Sequence, residues 1–163
     1  MRVRGVLARQ RLLRLTPPAR NRIAAEEIRI KCSELTYRSI SCDESSDKKH
    51  IDLSAEPLTL VCAAGMTGSA ADDIAKEVEI FASHNGVPIV IATESDERFT
   101  AAAGVIWVPS FHPDLAFVLS AMAGHLFGYH AALAIDEQAM PLREARACML
   151  SRSRPQERAS SSP

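Results

Sequence analysis

Leu58-Thr59-Leu60-Val61-Cys62-Ala63 follows Pro57 as a near-continuous apolar run, and it restricts the possible folds more than any other stretch of the chain. A strand with one wet face alternates apolar and polar residues. A strand without that alternation is covered on both faces, as in the middle of a parallel sheet, and needs a helix to carry the chain back. The required helix is legible. Ile74, Val78 and Phe81 recur at helical spacing until Asn85-Gly86, and Ser69 with Asp72 three positions later reads as its capped start. Pro88-Ile89-Val90-Ile91-Ala92 and Val105-Ile106-Trp107-Val108 are the next strands, with Asp96-Glu97-Arg98 in the connection between them. A long helix opens after His112-Pro113, where proline suits a first turn. This alternation predicts an α/β fold, a three-layer sandwich around a doubly wound, mostly parallel sheet.

A helix is also expected before Tyr37. At about 100° per residue, Ile23, Glu27, Ile30 and Glu34 share one stripe flanked by Ala24, Ile28 and Leu35, with Arg22, Glu26, Arg29 and Ser33 opposite. Glu34 then interrupts an apolar face. Desolvation there would raise its pKa toward the range a proton shuttle needs, while Lys31 would pull it down. The competing account is a Glu27, Lys31 and Glu34 ion-pair cluster on the helix surface. His50, sixteen positions after Glu34, adds an imidazole able to titrate near neutrality.

At 163 residues and 47% hydrophobic content, the chain can bury one ordinary core. A net charge of −1 supplies no general positive field for nucleic acid or a membrane surface, so neither is an expected partner. Residues 1–22 carry seven arginines and no acid, and Thr16-Pro17-Pro18 follows most of them; residues 1–20 read as a poorly ordered extension. Residues 147–163 read as a polar disordered tail, leaving 21–146 as the domain. Val3 to Leu7 is a candidate short edge strand that would pair poorly, so the sheet can lack its first strand. Cysteines at 32, 42, 62 and 148 form no Cys-x-x-Cys pair, which fits thiols in a reducing cytoplasm. Cys32, Cys42 and His50 lack the spacing of a zinc finger or ribbon, and no metal or cofactor is expected.

Two further segments admit more than one account. Gly65-Met66-Thr67-Gly68-Ser69 lies where open α/β sheets bind ligands, beside a helix start that could hold phosphate. A tight turn capped by Ser69 is preferred, since there is no Walker lysine and Asp72-Asp73 would repel an anion from the first turn. Leu115 to Ile135 approaches bilayer-spanning length and holds Gly124 and Gly128 at a Gly-x-x-x-Gly spacing. His125, His130 and Ser120 would be costly in lipid, which favours a buried helix of the sandwich. The two histidines are five apart, about 140° around a helix, so they do not converge on a metal.

Ser33-Glu34-Leu35-Thr36-Tyr37 followed by Lys49-His50 resembles the Lys-Glu-Ile-Ser-Tyr … Lys-His-Gly stretch of the glutamine–fructose-6-phosphate aminotransferases, in the second of their two sugar isomerase (SIS) domains. Val108-Pro109, Tyr129-His130-Ala131 and the stretch from Asp136 to Arg146 resemble later features of that domain in the same order, so the similarity spans about residues 21–146. The resemblance implies a SIS-type fold and a sugar-phosphate ligand, fructose 6-phosphate or glucosamine 6-phosphate. It implies Glu34 as proton shuttle between the first two sugar carbons and His50 as the ring-opening group, reaching a neighbouring subunit's site. Lys49 and Arg146 become substrate-binding positions, and a second SIS domain or a homo-oligomer becomes the partner. One departure is chemical. Arg146 stands where the family has its Schiff-base lysine, and a guanidinium that stays protonated cannot form an imine. Without a glutaminase domain and a first SIS domain, the chain is expected to be inactive alone.

Overall fold

The computed structural model describes residues 13–16, 21–37, 39–42 and 58–153. Five parallel strands form one sheet: β1 (Leu13–Thr16), β2 (Ser41–Cys42), β3 (Leu58–Cys62), β4 (Val87–Thr93) and β5 (Gly104–Val108), in the order β2-β1-β3-β4-β5. The helices are α1 (Arg22–Thr36), α2 (Gly68–Ser83) and α3 (Ala116–Ser153), with a 3₁₀ turn at Pro113–Leu115 before α3. A strand, Leu13–Thr16, precedes the first helix and is internal to the sheet, while the candidate Val3 to Leu7 lies outside the described residues. Leu13 registers with Leu58 and Leu15 with Leu60. At the other end, α3 runs past Arg146 to Ser153, into the segment read as tail.

Every residue of β3 is buried, as its apolar run requires. Side-chain alternation divides that burial between two cores. Leu58, Leu60, Cys62, Ile89 and Ile91 meet α1 and α3, while Val61, Ala63, Val90 and Ala92 meet Ile74, Val78 and Phe81 of α2. These are the three layers. The α2 stripe is the expected one, and Asn85 at φ 59° ends the helix with the Gly86 N–H donating to Phe81 O at 2.9 Å.

The α1 face differs from expectation. Ala24, Ala25, Ile28, Cys32 and Thr36 are buried, whereas Ile23 is 70% exposed and Ile30 and Leu35 are about 40% exposed. The partner helix decides this. A Cβ on Gly124 would overlap Ile28, and one on Gly128 would lie 2.9 Å from Cys32 Sγ, so the two glycines admit α1 against α3. The Gly-x-x-x-Gly pair thus serves helix packing inside the sandwich. Pro113–Ile135 is still long and apolar enough to cross a bilayer by length and composition.

Burial pushes the Cys32 thiol up to about 11 and the Cys62 thiol up to about 12, with the neighbouring Cys42 and Cys32 adding to the effect at Cys62. Unfolded thiols ionise from about pH 9. Above that pH the folded chain holds more protons than the unfolded one, so this contribution to stability is present at neutral pH and is lost as pH rises toward 11–12. Urea melts at increasing alkaline pH should show the loss, and Cys32→Ala with Cys62→Ala should flatten it; an unchanged slope in the double variant would refute the assignment.

Candidate functional site

The carboxyl ends of β3, β4 and β5 open into a cleft of about 550 Å³. Gly65, Met66 and Thr67 form its wall after β3, residues 93–98 its wall after β4, and Ser110, Phe111 and Pro113 its wall after β5. Loops at this edge of an open parallel sheet lie where such folds hold ligands. Gly65 occupies φ 74°, and its N–H donates to Thr93 Oγ1 at 2.9 Å, joining two of the walls. Behind them, the buried Asn21 Nδ2 donates to Ala64 O at 3.0 Å and fixes the start of α1 to the end of β3.

Two expectations about this loop change. Thr67, not Ser69, is the N-cap of α2; it is extended and exposed, and its side chain makes no capping bond. The first turn of α2 also holds no acid. Asp72 lies beyond it and meets Arg98 Nη1 at 3.3 Å. Arg98 also grips Asp96 with two bonds, Nε to Oδ1 at 2.7 Å and Nη2 to Oδ2 at 2.9 Å. Hydrogen bonding to Asp96 raises the Arg98 pKa above its ordinary value against the opposing effect of burial, and Asp72 raises it further. Of the two carboxylates expected to repel an anion, Asp72 is therefore paired with Arg98, and Asp73 Oδ1 lies 3.8 Å from Lys76 Nζ. What the cleft offers is a helix start without a side-chain cap, the hydroxyls of Thr67, Ser95 and Ser110, and the carboxylates of Glu94 and Glu97.

Glu34, singled out from sequence, does not line this cleft. Glu34 is exposed, and its Oε2 is 3.3 Å from Lys31 Nζ, so the ion-pair account describes its surroundings and it does not interrupt a buried stripe. Glu27 belongs to a different contact, with Oε1 3.3 Å from His125 Nε2 of α3. Because α1 starts beside the carboxyl end of β3 and is about 22 Å long, Glu34 sits toward the opposite ends of the strands. Lys49 and His50 fall outside the described residues, and Arg146 lies within α3. Among the described residues, no group of three or more His, Cys, Asp or Glu could hold a metal ion. The cleft residues after β4 and β5 were not identified from sequence, since Asp72 and Arg98 are brought together only by the sheet.

A parallel sandwich of this topology, with its open cleft at the strand ends, is the SIS fold of sugar-phosphate isomerase domains. The C-terminal domain of glucosamine-fructose-6-phosphate aminotransferase from Francisella tularensis is similar at a TM-score of 0.70 and 15% identity, over 82% of this chain and 38% of that one. Tagatose-6-phosphate ketose/aldose isomerase from Escherichia coli is similar at 0.59 and 22% identity, over 80% and 38% of the two chains. The Vibrio vulnificus NanR protein complexed with ManNAc-6P is similar at 0.56 and 8% identity, over 94% and 60%. The chain thus matches well under half the length of the first two structures. No protein-family model matches the sequence. No curated protein matches it either.

Proposed function

We propose that this chain is a sugar-phosphate-binding SIS module, with the phosphate at the Gly65–Ser69 turn and the sugar hydroxyls along the opposite wall. The observation that carries this is the start of α2 without a side-chain cap, opening into a cleft lined by hydroxyls and carboxylates. Backbone N–H groups at a helix start suit a phosphate, and the positive end of the helix dipole adds to the attraction. Glu94 and Glu97 can accept from sugar hydroxyls, and Ser95 and Ser110 can donate or accept. The sugar phosphates named among proteins of the same fold support the ligand class.

The finer reading is a relative of the second SIS domain of the glutamine–fructose-6-phosphate aminotransferases, with fructose 6-phosphate or glucosamine 6-phosphate as ligand. In that reading Glu34 is the proton shuttle of a separate composite site, away from the Gly65–Ser69 cleft, that a second SIS domain or subunit completes with its own sugar phosphate, and Lys49 and His50 contribute to it. Arg146 neutralises phosphate charge in that composite site but forms no imine. The isolated chain binds and does not turn over.

Thermal shift with fructose 6-phosphate and glucosamine 6-phosphate, followed by a product assay with added ammonia, tests this. Stabilisation without product is expected. Glu34→Gln should leave affinity within about two-fold, a change well below the 1.4 kcal/mol of a tenfold effect. Loss of binding in that variant would place the ligand at the wrong edge of the sheet, and product from the isolated chain would overturn the non-catalytic reading.

A further inference from the structure

Arg98 is the one cation among the described residues that line the cleft, where it stands with the carboxylates of Glu94, Asp96 and Glu97. Its guanidinium is held unevenly. Toward Asp96, Nε and Nη2 donate at 2.7 and 2.9 Å, the range of charge-assisted bonds, and the Asp96 side chain is only 9% exposed. Asp96 Oδ1 also accepts from the Arg98 backbone N–H at 3.3 Å, so the loop after β4 fixes the guanidinium at this end. Toward α2 the contacts are longer. Nη1 lies 3.3 Å from Asp72 Oδ1 and 3.4 Å from Gly68 O, and the Asp72 side chain is 58% exposed. A carboxylate so exposed is screened by water and held weakly. Gly68 is the first residue of α2, and the space where a Cβ would stand on it is open. The loosely held end of Arg98 therefore lies at the helix start, beside the turn where the phosphate is placed.

We infer that Arg98 is the residue that selects phosphate in this cleft, and that Asp72 occupies its Nη1 until the phosphate of a bound sugar takes that place. This rests on the sugar-phosphate reading and adds a competition to it. Asp96 keeps the guanidinium in position throughout, so little freedom is lost when the ligand arrives. A phosphate monoester carries more charge than a carboxylate and has three acceptor oxygens, so it can meet Nη1 and the N–H groups of the helix start together. Asp72, already largely exposed, moves into water at little cost. The exposed carboxylates of Glu94 and Glu97 make the cation necessary, because without it a phosphate would enter among like charges with only the helix start to offset them. A neutral sugar gains nothing from Arg98 and leaves Asp72 where it is. The same ion pair thus discriminates phosphorylated from free sugar.

Titration calorimetry of the full chain with fructose 6-phosphate tests the competition through the two ends of one ion pair. Arg98→Gln should weaken binding about tenfold or more, the loss of a hydrogen bond between charged groups. Asp72→Asn should strengthen it about two- to five-fold, as release from a surface ion pair allows. A pair with a structural role alone would give effects of one sign, since both substitutions break it. With Arg98 already replaced by glutamine, the gain from Asp72→Asn should shrink, because no guanidinium is left to compete for. Arg98→Gln with Asp96→Asn leaves no half-buried carboxylate unpaired, and it should keep the far-UV spectrum of the unsubstituted chain while binding as weakly as Arg98→Gln. Unchanged affinity in Arg98→Gln, weaker binding in Asp72→Asn, or a gain of equal size with and without Arg98 would overturn the inference and leave sugar-phosphate binding standing. Absence of binding in the folded, unsubstituted chain would overturn both.

Discussion

Replacing Gly124 with valine is expected to destabilise the chain by about 3 kcal/mol or more, at the upper end of overpacking costs in a filled core. A Cβ at this position overlaps Cδ1 and Cγ1 of Ile28 and lies 3.0 Å from its Cγ2. Ile28 is fully buried and cannot move into solvent. Glycine inside a helix costs about 1 kcal/mol relative to alanine, so its presence here is offset by the approach of α1 that it allows. That loss is a large part of a typical domain stability of about 5–15 kcal/mol. Urea denaturation followed by circular dichroism measures it. Ile28→Val, which removes Cδ1, should recover part of the loss in a double-mutant cycle. A change below about 0.5 kcal/mol in Gly124→Val would mean that the helices are not in contact there.

Thr67→Asp should separate folding from binding. Thr67 is the extended N-cap of α2, is exposed, and makes no side-chain capping bond. Aspartate is among the preferred N-cap residues and also complements the helix dipole, so the folded state should be as stable as before or about 0.5–1 kcal/mol more stable. The same carboxylate would stand where the phosphate is placed. Affinity for a sugar phosphate should fall at least tenfold, about 1.4 kcal/mol. Thr67→Asn, which caps the same N–H groups without charge, should weaken binding less than Thr67→Asp does, and equal losses in the two variants would trace to the occupied N–H groups and not to charge. Thermal melts and titration calorimetry on the same samples read the two effects independently.

The layers of this fold were legible because β3 and β4 are apolar enough to require cover on both faces and α2 carries an unbroken stripe. The face of α1 was not legible. Ile23 and Ile30 have greater apolar bulk than Ala24, Ala25 and Cys32, but bulk cannot enter where α3 approaches through Gly124 and Gly128. A period fixes the angles between residues, while the neighbouring helix selects which angle faces inward. The same limit applied at the cleft. The Gly65–Ser69 turn could be placed from its neighbours in sequence, but the pairing that answers the objection from Asp72 comes from Arg98, twenty-six positions away. The first strand was hidden by its surroundings, since Leu13–Thr16 lies between arginines and two prolines and is defined by its pairing with β3. Of the expected Glu27, Lys31 and Glu34 cluster, the Lys31–Glu34 pair is present, whereas Glu27 turns to His125 of α3, a partner that only the packing of the two helices supplies.

Titration calorimetry of the full chain with fructose 6-phosphate, run beside unphosphorylated fructose and inorganic phosphate and repeated with Thr67→Asp, tests the proposed binding most directly. Saturable binding of the sugar phosphate, competition by inorganic phosphate, no response to fructose, and loss in Thr67→Asp with an unchanged fold are the predicted results. Binding of equal strength in Thr67→Asp, or an absence of sugar-phosphate binding in the correctly folded chain, would contradict the proposal.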